Sequence, residues 1–61
     1  MSKIVIIQRR SGNYYFHLQA PNGQVIVISQ DYASKVAVMN GIESMKRWAH
    51  TENIEDLTNE N

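Results

Sequence analysis

The chain has no cysteine. Disulfides are therefore excluded as a staple, and thiolate-based zinc sites go with them. The two histidines, His17 and His50, stand far apart in the sequence and do not make up for the missing thiolates. No run of apolar residues approaches the roughly 18 to 20 needed to cross a bilayer. Excess charge of either sign is also missing, since six Lys and Arg balance six Asp and Glu. A dedicated nucleic-acid binder draws most of its affinity from neutralising phosphates, so this balance argues against that class. The opening "MSKIVII" is too short for a secretory signal and has no cleavage site, and a cytoplasmic protein is the expectation.

With 61 residues, the chain is near the lower limit for a core that is stable alone. Once disulfides and metal are set aside, a very well-packed small core or association with another chain remains, and association is the expectation. Glycine and proline are scarce, at three and one, so each is informative about where the chain turns.

Lys3 to Arg10 is rich in Ile and Val and reads as a strand. "SGN" at 11–13 reads as a turn. Tyr14 to Ala20 then alternates, with Tyr14, Phe16, Leu18 and Ala20 opposed to Tyr15, His17 and Gln19, as a half-buried strand does. Asn22-Gly23 is a strong signal for a two-residue hairpin turn, and Pro21 before it suits a strand end. A third strand follows over about Gln24 to Ile28. From Lys35 to Ala49 the spacing is helical, and Val38, Gly41, Ile42, Met45, Trp48 and Ala49 gather on one face. Ser34 is the expected N-cap, without a capping box. This gives one α+β domain over 1–56, a three-stranded antiparallel meander covered by one C-terminal helix, and a frayed polar tail over 57–61. Ile54 and Leu57 are expected to dock a short segment after the helix.

Gly41 falls on the apolar helix face, where glycine costs about 1 kcal/mol relative to alanine. Close approach of the helix to its neighbour is the expected compensation, with a helix kink as the competing one. Two-residue loops in both hairpins would pair Ile7 with Leu18, Ile6 with Gln19 and Val27 with Leu18. Ile4, Ile6, Ile26 and Ile28 would then share the face the helix cannot cover. Each would contribute roughly 1.5 to 3 kcal/mol if removed from water, so these four are the expected homodimer interface. A one-residue slip in either hairpin would exchange the faces.

The stretch "YFHLQAPNGQVIVISQDYASKVAVMNGIESMKRWA", with "IED" at 54–56, resembles the YegP-like family of small uncharacterised bacterial proteins. The resemblance rests on Phe16, Leu18, Ala20, Asn22, Gly23, Ile26, Ser29, Tyr32, Ser34, Lys35 and the Gly41–Ser44 segment. It implies a β-β-β-α unit. Many members carry two tandem copies packed as a pseudo-symmetric pair. A single-copy chain is then expected to form the pair as a homodimer, with exchange of elements left open. The family has no established activity, so no catalytic residue carries over.

Chemistry is thinly represented among the residues. Ser34 and Lys35, at the start of the helix, are the weak candidates for holding an anion, against a simple capping role. His17 has no paired acid or nucleophile to make it a general base. Arg9, Arg10, Tyr14 and Tyr15 lack the spacing of a base-stacking motif. The sequence therefore points to a structural or interaction module without enzymatic activity, cofactor or metal. The second reading is a binding protein for a small anionic ligand or nucleic acid.

Overall fold

The structure, a computed structural model, describes residues 1–58. Strands β1 (Lys3–Gln8), β2 (Tyr14–Gln19) and β3 (Val25–Ile28) precede one helix, α1 (Lys35–Trp48). The strands form one antiparallel sheet in the order β1-β2-β3. The expected β-β-β-α architecture is therefore present.

The first hairpin differs from expectation in loop length. Arg9 N donates to Asn13 O at 2.7 Å and Gly12 N to Arg9 O at 2.9 Å, which makes Arg10, Ser11 and Gly12 the loop. Gly12 alone supplies the positive φ, at +101°, and Asn13 does not share it. A two-residue type I′ loop needs two such residues, whereas a type I turn followed by one left-handed residue needs only the glycine. Ile6 consequently pairs with Phe16 and Ile4 with Leu18. The offset from the expected register is odd, so every β1 side chain changes face. Ile4 and Ile6 lie beneath the helix, packed on the core. Val5, opposite His17, and Ile7, opposite Tyr15, take their places on the outer face.

The second hairpin uses the same loop type. Gly23, at φ +89°, donates to Ala20 O, and Ala20 N donates to Gln24 O at 2.8 Å. Pro21 and Asn22 complete the loop, with Asn22 Oδ1 accepting from Gln24 N. A register irregularity at Leu18/Gln19 then absorbs one residue of β3. Beyond it Val27 faces Leu18, as expected, and Ile28 faces His17. Ile28 is therefore on the outer face, and Ile26 is the residue at the bulge.

After β3 the chain keeps to the side of β2. Ser29 N donates to Phe16 O, Ser29 Oγ accepts from Phe16 N at 2.9 Å, and Tyr32 bridges Tyr14 through two backbone hydrogen bonds. The helix starts at Ser34, whose Oγ accepts from Ala37 N at 3.0 Å. Lys46 and Arg47 in its last turn complement the dipole. α1 lies chiefly over β2. The buried core is Phe16, Val38 and Ile42, with Ile4, Ile6, Tyr14, Tyr32 and Met45 packed around it.

Gly41 is explained by close approach. A Cβ at this position would stand 2.6 Å from Tyr32 Cζ and closer still to its hydroxyl. The Tyr32 ring fills the space a side chain would need, and it stacks on Phe16 with ring centroids 6.3 Å apart.

The segment after the helix departs from expectation. Residues 50–58 have no regular secondary structure, and Ile54 and Leu57 are exposed at 92% and 84% rather than docked. Of the expected tail at 57–61, residues 59–61 lie outside the described residues.

Candidate functional site

The residues with chemical potential do not converge. Ser34 spends its hydroxyl on Ala37 N, and the Lys35 ammonium lies 5.9 Å from the centroid of the Tyr14 ring. Arg9 Nε donates to both carboxylate oxygens of Asp31, at 2.9 and 3.0 Å. Its guanidinium also stacks on Tyr15 at 4.2 Å. Sequence spacing missed this clip, because 22 residues separate Arg9 from Asp31 and only the β2-side path of the chain after β3 brings them together.

His17 sits on the outer face between Val5 and Ile28. Its Nε2 is closed to water and makes no hydrogen bond. Among the described residues no acidic or nucleophilic group hydrogen-bonds this nitrogen. His50 is exposed beyond the helix end. Among the described residues no group of three His, Cys, Asp or Glu side chains stands close enough to hold a metal ion. The carboxyl of Asp56 is held below the usual aspartate range by the hydroxyl of Thr58 and then by its backbone N–H. This is a local turn in the C-terminal segment. No helix among the described residues is long and apolar enough to cross a membrane.

The pronounced surface feature is apolar. All four residues of β3 are exposed: Val25 41%, Ile26 59%, Val27 46% and Ile28 63%. The helix covers β2 and leaves β3 open, and β3 is an outer strand of the sheet. Such a strand offers a row of unpaired backbone groups to another chain. Natural edges are usually guarded by charge, proline, bulges or brevity; "VIVI" has neither charge nor proline, and its four residues and one bulge are the guards it has. Of the four isoleucines expected at an interface, Ile26 and Ile28 belong to this surface, while Ile4 and Ile6 are partly buried and pack against the core.

Comparison with known proteins gives consistent relatives. Residues 10–56 match the family described as "Domain of unknown function (DUF1508)". A UPF0339 protein of Agrobacterium fabrum is 36% identical over 58 residues, covering 95% of this chain and 94% of the relative. A UPF0339 protein of Photorhabdus laumondii is 45% identical over 53 residues, covering 87% of this chain. The chain spans about half the length of that relative, 46%. The UPF0339 protein YegP of Yersinia pestis is 44% identical over 41 residues, which are 67% of this chain and 37% of the relative. Among solved structures, the NMR solution structure of a protein from Haloferax volcanii superposes with a TM-score of 0.75 at 30% identity. That likeness covers 90% of this chain and 95% of the other. The order of strands, the two glycine loops and the helix are thus accompanied by a match over most of the chain, and the protein belongs to the YegP-like UPF0339 family, the domain of unknown function DUF1508.

Proposed function

We propose that the chain acts as a homodimeric structural or interaction module, without catalysis, cofactor or metal, in the cytoplasm. The observation that carries this reading is the exposure of all four apolar residues of β3 along an open sheet edge. Each isoleucine removed from water there contributes roughly 1.5 to 3 kcal/mol. A core of three buried residues leaves a domain of this size in need of that contribution.

Residues 50–58 are the part of each chain that its own fold leaves free, and they carry exposed Ile54 and Leu57. Laying this segment across the partner would be the exchange of elements that the reading leaves open. The length of the Photorhabdus relative, of which this chain spans 46%, is what two such units in one polypeptide require. A fold without cysteine needs no oxidising compartment.

The second reading, a small anionic ligand or nucleic acid, draws less support. Asp31 neutralises Arg9, and Ser34 is engaged in capping. Titration with a single-stranded oligonucleotide at low salt should give no binding, and tight, salt-sensitive binding would favour this reading instead. The dimer itself is tested by sedimentation equilibrium of the chain and of Ile28→Lys. A dimer that the substitution converts to a folded monomer is expected. A wild-type monomer at every concentration would refute the proposal.

A further inference from the structure

The apolar surface continues from the edge of β3 onto the helix side of the sheet. Gly41 meets Tyr32, and Tyr32 is bridged to Tyr14 on the β3 side of β2. The Gly41 side of α1 is therefore the side turned toward β3. Trp48 stands seven residues after Gly41, two helical turns, and so on nearly the same side. It is the only tryptophan in the chain and is 73% exposed at the last position of α1. Val27, opposite Leu18 and so on the helix side of β3, is 46% exposed. Both keep a large part of their apolar surface open among the described residues.

We propose that Trp48 is the anchor of the dimer interface on the helix side, closing over the β3 strand of a second copy around Val27. This rests on the homodimer reading above and adds the residue that sets its affinity. Three arguments select a second copy as the occupant. The surface is continuous with the open β3 edge. Trp48 and the four exposed β3 residues are a large share of apolar surface for a domain with so small a core, and a second copy can bury it. Charge is balanced within the chain, so nothing on this surface selects a highly charged partner over a copy of itself. Large aromatic side chains in a dry, central position are the usual carriers of binding energy, and a mostly exposed tryptophan on a small domain is otherwise costly in solubility.

The test is intrinsic fluorescence of Trp48 across a dilution series, with the mass measured on the same samples. The emission should move to shorter wavelength and lose iodide quenching as the mass doubles. Trp48→Ser should weaken the dimer roughly thirtyfold or more, while Trp48→Phe should retain most of the affinity. Because Trp48 is mostly exposed in the single chain, its replacement should leave the monomer folded, which circular dichroism checks. A dimer in which Trp48 stays quenchable, and which Trp48→Ser does not weaken, would overturn this inference while leaving the homodimer standing. A chain that remains a monomer at all concentrations would overturn both.

Discussion

Gly41 and Tyr32 occupy one volume between them. A glycine in mid-helix costs about 1 kcal/mol relative to alanine, and here it makes room for the tyrosine ring that stacks on Phe16. Gly41→Ala should therefore destabilise the chain by about 1 to 3 kcal/mol in urea unfolding, in spite of the gain in helix propensity. In a Tyr32→Leu background the same substitution should become neutral or stabilising. Equal effects in both backgrounds would show that the two residues do not share that space. Asp56 offers a second local test. Thr58 donates to its Oδ1 from both the hydroxyl and the backbone N–H, at 2.6 and 2.9 Å, and holds its pKa below the ordinary aspartate value. A depressed carboxylate favours its folded turn above the ordinary aspartate range and loses that preference as the pH falls through the lowered value. Thr58→Val should move the Asp56 titration, followed by NMR, upward toward that of a free aspartate. An unchanged titration would mean that the hydroxyl is not the principal cause.

The hairpins show why element types were legible in the sequence while faces were not. Alternation from Tyr14 onward and the Ile/Val runs mark strands whatever their partners, and Ser34 marks the helix start. "SGN" and "PNG", however, serve loops of two or three residues equally well, and the difference is the backbone conformation of one asparagine in each. The first loop took three residues, and Ile4 and Ile6 moved from the expected interface to the core. In the second hairpin the bulge at Leu18/Gln19 compensated the longer loop, so Val27 and Ile28 kept the faces read for them. The Arg9–Asp31 clip and the exposure of Trp48 depend on where chain segments end in space, which periodicity does not encode. Gly12 sits at φ +101° with nothing nearby, so Gly12→Ala should cost about 1 kcal/mol through backbone strain alone. The two isoleucine classes should separate in the same way. Ile6→Ser, beneath the helix, should lower the unfolding free energy by about 2 to 4 kcal/mol at any protein concentration. Ile28→Ser, 63% exposed, should change monomer stability by less than about 0.5 kcal/mol, with its effect appearing only as easier dissociation of the proposed dimer on dilution. Similar losses from both would contradict the register.

The whole molecule is drawn out for its size. Its radius of gyration is 14.0 Å and its longest extent 44 Å, against roughly 10 to 11 Å expected for the radius of a compact chain of this length. The excess comes with a C-terminal segment whose two large apolar residues are exposed and a sheet whose third strand lies outside the cover of the helix. Three buried core residues among those described, no disulfide and an exposed apolar β3 are what support the proposal that a second copy completes the folding unit. The most direct measurement of that claim is the molar mass by light scattering over a wide dilution series. The account predicts twice the 7.0 kDa of one chain at the concentrated end, falling toward 7.0 kDa on dilution together with a loss of thermal stability. A folded chain that holds the single-chain mass and an unchanged melting temperature throughout would contradict it.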